Sequence, residues 1–375
     1  MKYVLTCPYN TTQIAKKELE ILWYKATITS QTSLHFDGDD ATIARVNLNS
    51  RIGNKLFLQL AIGRVQNFED LFWVVSSVDR AKFITPGQSI LINALSKMNA
   101  LTSVPAIQWM TKKAITKKLL GNDERREENN ELQAVDVMIT LDRDTCYVLL
   151  NTTGESLHER GYRQHAGEAP IKENLAAALI LSSGRKFSTP LVDPFCGAWT
   201  IAIEAALIAK NIAPWLIRPF AFHGFERYAP SHYVEAKATA EAKVMLNKQH
   251  TIIGHDIDPT MIEISKDNAK NAWLADHIQF STRDFVTSPI VPELPADKPQ
   301  RSLLTNPPYG ERMQLAEIMP LYQRLLSLFE DNKHVNGGFI TNAPAVPQLY
   351  QPSYWKETKY YNGPIECTFY KIARL

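Results

Sequence analysis

Asn306-Pro307-Pro308-Tyr309 follows the apolar pair Leu303-Leu304 and runs into Gly310. An apolar strand ending this way places a side-chain amide, two restrained backbone positions and an aromatic ring at the C-terminal edge of a sheet. Prolines at 307 and 308 forbid helix at Asn306 and Pro307 and withhold two backbone donors. The carbonyls of the turn are therefore expected to face outward as acceptors. Asn306 Oδ1 and the Pro307 carbonyl can accept hydrogen bonds from a planar amino group, while Tyr309 stacks on the ring that carries it. The chemistry this suits is methyl transfer to an exocyclic nitrogen, whose delocalised lone pair makes it a poor nucleophile. Acceptors on its protons return density to the nitrogen as charge develops. Asn306, Pro307, Pro308 and Tyr309 are the candidate catalytic residues. The same four residues also fit a double-proline turn beside a core tyrosine.

A second constellation lies upstream. Asp193-Pro194-Phe195-Cys196-Gly197-Ala198-Trp199-Thr200 follows the short strand Leu191-Val192 and opens a helix. A tight loop there brings backbone groups and a helix N-terminus close to a bound ligand. Asp256, with Ile257 beside it, ends the next strand, where a carboxylate can bind both hydroxyls of a ribose. Asp284 ends the third, with Phe285 placed to flank an adenine ring and Asp193 placed near an ammonium group. Each aspartate alone fits a turn or helix cap. Their order at successive strand ends points to one shared site, with Asp193, Phe195, Cys196, Gly197, Thr200, Asp256, Ile257, Asp284, Phe285 and Asn306 as cofactor-binding candidates.

The elements that must hold these residues read as α/β from Ile171 onward. Helices over 176–181, 201–209 and 318–329 alternate with strands at 191–192, 251–254, 278–281, 303–304 and 338–340. Asp258-Pro259 caps a further helix with proline in its first turn. Residues 358–361 and 367–372, joined at Asn362-Gly363, read as a closing antiparallel hairpin. Such alternation implies a mostly parallel sheet with helices on both faces and ligands at the C-terminal strand ends. Residues 1 to about 155 read as mixed α+β. Strands are expected at 3–6, within 27–36 and at 133–141 and 146–150, a helix at 11–22, and further apolar segments at 71–78 and 89–93 after a Pro86-Gly87 turn.

A chain of 375 residues implies two or three domains. Hydrophobic content of 45% with 21% charged residues is that of a soluble protein. No apolar run reaches the ~20 residues that span a bilayer, and the first residues lack a signal-peptide pattern, so the expectation is a cytoplasmic protein without membrane attachment. Cys7, Cys146, Cys196 and Cys367 show neither zinc-ligand spacing nor a disulfide framework, and the nine histidines show no helical metal pair. No metal is expected. A net charge of +2 confines nucleic-acid affinity to local patches. Lys112, Lys113, Lys117 and Lys118 recur at helical spacing beside Trp109, either as a solvated face or as a phosphate-contacting one. In the polar, glycine-bearing stretch 151–172, which includes Gly154, Gly161 and Gly167, Arg160 and Arg163 could reach phosphates or pin an interdomain contact.

Residues 193–206, Asp256 to Asp258, Asp284 and Asn306 to Gly310 resemble the motifs of S-adenosylmethionine-dependent amino-methyltransferases. Leu157-His158-Glu159-Arg160-Gly161-Tyr162-Arg163 and Ala169-Pro170-Ile171-Lys172-Glu173 narrow the likeness to the bacterial THUMP-domain guanine-N2 RNA methyltransferases related to RlmL. It spans nearly the whole chain and is most specific in the C-terminal half. It implies a ferredoxin-like segment over 1–55, a THUMP RNA-binding domain over 56–155, a linker over 156–170 and a Rossmann-like methyltransferase domain over 171–375. It also implies S-adenosylmethionine as cofactor and the N2 amino group of a guanine in structured RNA, ribosomal RNA first, as acceptor. Transfer RNA, an adenine, cytosine or glutamine amide acceptor, and a catalytically silent RNA-binding factor are the alternatives.

The family reads Ser-Gly where this chain has Ala198-Trp199. A left-handed conformation at 199 would cost a non-glycine residue about 1–2 kcal/mol. The expectation is that cofactor affinity is lowered, or that Trp199 turns outward onto a neighbouring helix.

Overall fold

Strand–helix alternation in the second half and hairpin-rich patterning in the first give two separate sheets. The structure, a computed structural model, describes residues 1–78, 83, 88–120, 132–163, 170–184, 188–214, 218–226, 228–289, 300–309, 315–344, 346–349 and 355–372. The expectations for Pro86, Gly87, Gly167, Ala169, Gly310 and the Lys118 side chain lie outside them.

The first unit comprises residues 1–7, 16–157 and 215–239. Its elements are β1 (Lys2–Thr6), α1 (Thr12–Ile21), β2 (Ala26–Ser30), β3 (Ser33–Asp37), α2 (Ala41–Asn49), β4 (Lys55–Arg64), α3 (Phe68–Ser76), β5 (Ile90–Lys97), α4 (Val104–Leu120), β6 (Val135–Asp142) and β7 (Thr145–Asn151), although the first turn of α1 falls outside it. They build one seven-stranded sheet in the order β2-β3-β1-β4-β7-β6-β5. Periodicity did not single out α2 or β4. The latter pairs antiparallel with both β1 and β7, so the expected boundary at residue 55 falls at the start of a strand shared by both halves of this sheet. The apolar segment at 71–78 is largely helix α3, started by Asn67, whose side chain accepts from Asp70 N.

The second unit comprises residues 8–15, 158–214 and 240–375. After α5 (Glu173–Ser182), β8 (Leu191–Asp193) and α6 (Thr200–Ala209), the chain returns to the first unit with Trp215–Thr239, which includes most of α7 (Pro230–Ala242). This segment was expected within 171–375. There, Ala221 N and Phe222 N bond to the Thr153 and Thr152 carbonyls. The second unit resumes with β9 (Ile252–Asp256), α8 (Pro259–Asn271), β10 (Gln279–Thr282), β11 (Arg301–Thr305), α9 (Leu315–Asp331), β12 (Val335–Thr341), α10 (Val346–Leu349), β13 (Trp355–Asn362) and β14 (Ile365–Ile372).

Its sheet runs β10-β9-β8-β11-β12-β14-β13, with the first five strands parallel and β14 antiparallel to both neighbours. Helix α6 is apolar apart from Thr200 and Glu204, and all its residues are buried. Helix α9 lays Leu321, Tyr322, Leu325 and Phe329 against a core that includes Val192, Leu303 and Phe339. Strand order reverses between β8 and β11, which is where open α/β sheets bind ligands. The β8 and β11 ends carry Asp193 and Thr305-Asn306, so topology alone brings together residues more than a hundred positions apart.

Candidate active site

A cavity of about 480 Å³ opens over these strand ends. That lies within the ~300–1,000 Å³ of small-molecule sites. Among the described residues its lining includes Asp193, Asp256, Asp258 and Asp284 against one arginine, Arg283. Such a wall favours a cationic ligand. Every cofactor and catalytic candidate from the sequence lines it, from Asp193 round to Tyr309.

The loop after β8 is tied down through its backbone. Gly197 N donates to Asp256 Oδ2 at 2.9 Å, and Cys196 N to the His255 carbonyl at 2.9 Å. Ser265 Oγ donates to the Gly197 carbonyl at 2.8 Å and Asn268 Nδ2 to the Ala198 carbonyl at 3.3 Å. Ser265 and Asn268 are buried on α8 three residues apart, one turn of one face. Sequence reading missed both, although two buried-face polar residues at that spacing are a legible signal. Asp256 also accepts from Asp258 N at 3.0 Å through Oδ1, and burial raises its carboxyl. Each of its oxygens has a second lone pair.

Asp193 is buried and accepts from Thr305 Oγ1 at 2.6 Å, a bond that joins β8 to β11 across the switch point. Phe195 N donates to the same oxygen at 3.2 Å. Burial dominates these bonds and pushes the Asp193 carboxyl up to about 7. Asp284 behaves in the opposite way. Donors from Val286 N and Thr287 Oγ1, both at 2.8 Å, hold its carboxyl below the usual range. Phe285 is buried, with its ring 4.6 Å from that of Phe195, and Ile257 stands exposed beside Asp256.

Trp199 is in the left-handed conformation, at φ 68° and ψ 21°. It does not turn outward onto a helix. Its side chain is 0% exposed and lies on the sheet, with its rings against Phe280 at 3.8 Å between centroids and against Gly254. A Cβ at 254 would meet Trp199 Cη2 at 2.3 Å, so only glycine admits the indole. Glycine inside a strand is a recognised sign of such close approach. The cavity wall includes Ala198 and Thr200 but not the indole between them.

The loop after β11 differs. Asn306 Oδ1 is buried without a hydrogen-bond partner among the described residues. Burying an acceptor unpaired costs about 1–3 kcal/mol. The carbonyls of this turn do not all face outward. That of Pro308 accepts from the Tyr322 hydroxyl at 3.2 Å, and Tyr322 is paired with Thr341 Oγ1 at 2.6 Å. Tyr322 is fully buried on α9, and the sequence reading places it within the helix over 318–329 without assigning it a role. Tyr309 is partly buried, its hydroxyl 3.9 Å from Cys367 Sγ.

The two arginines of the 151–172 stretch are engaged by the protein itself, Arg160 fully buried and Arg163 partly so, rather than presented as surface phosphate ligands. Arg160 and Glu204 have side chains 0% exposed, paired at 3.1 Å, with the Tyr162 hydroxyl 3.3 Å from the same carboxylate. Arg163 donates to Thr200 Oγ1 at 2.8 Å and to the Ile171 carbonyl at 3.0 Å, and pairs with Glu173 at 3.2 Å. It holds two wall residues from behind. Lys112, Lys113 and Lys117 are exposed on α4 in the first unit. Lys113 Nζ sits 4.9 Å from the ring centre of Trp109, itself 60% exposed, and Lys117 Nζ sits 5.8 Å from that of Phe72. No helix among the described residues is long and apolar enough to cross a membrane.

Comparison with known proteins agrees with this architecture. Residues 160–371 match the family described as "RMKL-like, methyltransferase domain", and residues 2–57 match the "RlmL ferredoxin-like domain". A Bacillus subtilis (strain 168) protein named "Putative RNA methyltransferase YpsC" is 33% identical, over 99% of this chain and 96% of its own. The crystal structure of "SMU.472, a putative methyltransferase complexed with SAH" superposes with a TM-score of 0.89 at 31% identity, covering 100% of this chain and 98% of that one. A Listeria monocytogenes str. 4b F2365 structure described as "a predicted N6-adenine-specific DNA methylase" gives 0.89 at 28% identity, covering 100% and 96%. The chain belongs to the RMKL-like methyltransferase family, with an RlmL-type ferredoxin-like domain at its N-terminal end.

Proposed function

With that membership as premise, we propose that the protein is an S-adenosylmethionine-dependent RNA methyltransferase that modifies the exocyclic N2 amino group of a guanine, with ribosomal RNA as the first candidate substrate. One observation carries the catalytic part. Asn306 Oδ1, at the switch point, is a buried acceptor with no partner among the described residues, which is what an incoming amino group would satisfy.

The residues present fit the cofactor. Asp256 retains a lone pair on each oxygen for the ribose hydroxyls, Ile257 and Phe285 offer apolar surface for a purine, and the acidic wall suits ammonium and sulfonium charge. S-adenosylmethionine, when bound, supplies an electrophilic methyl group. Asn306 Oδ1 and the Pro307 carbonyl accept the two amino protons and hold the nitrogen in line with that methyl, so orientation supplies a large share of the rate. Tyr309 stacks on the base once it leaves its helix, an unstacking that costs a few kcal/mol. Lys112, Lys113 and Lys117 carry the RNA backbone, and residues 56–155 form the THUMP portion of a cytoplasmic enzyme.

The RNA substrate rests on the Bacillus subtilis relative and on the RlmL-type N-terminal match. The Listeria neighbour's description favours adenine N6 as the second reading, and transfer RNA is the other RNA to test. The silent-factor reading loses its ground, because Trp199 is packed beneath the sheet's edge and away from the cavity. Nucleoside mass analysis after incubation with ribosomal and transfer RNA separates these readings. N2-methylguanosine is expected, whereas N6-methyladenosine would replace the guanine assignment. Asn306→Ala should keep RNA binding and lose about 10²–10³ in turnover. An unchanged rate removes Asn306 from catalysis.

A further inference from the structure

Trp199 occupies a position whose left-handed backbone favours glycine, and it buries its Nε1 without a partner among the described residues. Both features oppose folding locally. Such strain persists only where the surroundings over-determine it, and it clusters at functional sites. The surroundings here are specific. The indole is seated on Gly254, two residues before Asp256 on β9, and on Phe280 of β10. Trp199 N also closes the loop on the Cys196 carbonyl at 2.7 Å, while Trp199's own carbonyl accepts from Ile203 N in the first turn of α6. A single side chain therefore clamps the loop to the strand that carries Asp256, the residue the loop contacts through Gly197 N.

We infer that Trp199 is a positioning residue for the cofactor loop, and that its interlock with Gly254 strengthens cofactor binding. This reverses the direction suggested by the sequence, where a bulky residue in place of glycine predicts obstruction. It rests on the cofactor reading above. With the indole in place, the loop backbone is held in its binding shape before the ligand arrives, so less ordering accompanies binding. With glycine at 199 the loop keeps the same backbone preference but loses the clamp.

Calorimetric titration with S-adenosylhomocysteine tests this on the full-length wild type, Trp199→Gly, Trp199→Phe and Gly254→Ala. Trp199→Gly should bind about tenfold more weakly, because ordering the loop then falls to the binding step. Trp199→Phe should fall between the two. Gly254→Ala, which displaces the indole without removing it, should weaken binding in the wild-type background and change little in Trp199→Gly. Amide exchange at residues 196–199 should quicken in Trp199→Gly at a temperature where the chain stays folded. Phe329→Leu, a core change elsewhere in the unit, controls for general destabilisation and should leave affinity unchanged. Equal or tighter binding by Trp199→Gly overturns the inference, as does a loss of affinity in Phe329→Leu matching that of Trp199→Gly. A wild type that fails to bind S-adenosylhomocysteine sinks the cofactor reading itself, whereas a binding wild type with an equally binding glycine variant sinks only the role of Trp199.

Discussion

The loop after β8 has its backbone committed to the protein: Gly197 N is held by Asp256, and the Gly197 and Ala198 carbonyls by Ser265 and Asn268. The loop after β11, across the switch point, is anchored at the Pro308 carbonyl by Tyr322 and leaves Asn306 Oδ1 unpaired among the described residues. One side of the site is rigid by internal satisfaction, and the other carries an unmet hydrogen bond. Binding a cofactor needs a preformed surface, whereas activating an amino group needs an acceptor that nothing else has claimed. The division places affinity on one loop and rate on the other.

The sharpest attempt to break this division is Asp256→Ala. It removes the loop's partner and the proposed ribose ligand together, so cofactor affinity should fall about 100-fold, the scale of a mispositioned binding group. RNA binding should hold, and calorimetry with S-adenosylhomocysteine and RNA gel shifts measure the two. A smaller effect comes from proton activity. Burial holds the Asp193 carboxyl near about 7, so it is increasingly neutral below that pH, and a cationic ligand favours its charged form. Affinity for S-adenosylmethionine should therefore drop as pH falls, by about fivefold between pH 7 and 6 and about tenfold for each unit below that, if one proton must leave on binding. Asp193→Asn should flatten that profile in titrations across this range. The smallest change expected is that of Tyr322→Phe, which frees the Pro308 carbonyl. Loss of one neutral hydrogen bond of about 1 kcal/mol should lower kcat about fivefold in steady-state methyl transfer, with cofactor affinity unmoved. A change in cofactor affinity there would blur the two loops into one unit.

What the sequence made legible follows the same physics. Strand-end chemistry is local: Asp193, Asp256, Asp284 and Asn306 each stand beside their own strand, and the strand order then gathers them. What stayed hidden depends on partners far along the chain. Arg160 looks like a surface cation until Glu204 is placed against it, 44 residues later. Thr305 reads as the end of a strand until β8 is paired with β11. Trp199 reads as an obstruction unless Gly254 is recognised as its seat, and both lie in segments whose local patterns give nothing away about their pairing. Strand β4 escaped because its apolar run lacks a clean alternation, being buried on both faces at Leu56, Phe57 and Leu58.

The return of Trp215–Thr239 to the first unit bears on how the protein is made. Thr152 and Thr153 wait for amide donors from Phe222 and Ala221, so a ribosome that has released only the N-terminal sheet has not yet released all of the parts that sheet requires. Synthesis must proceed through β8 and α6 of the second unit before these two donors are available, although all seven strands of the earlier sheet lie before Thr152. Fragments cut at Leu157 are thus poor stand-ins for the N-terminal unit. Nascent chains stalled before Thr239 should resist a limited protease less well than those stalled beyond it.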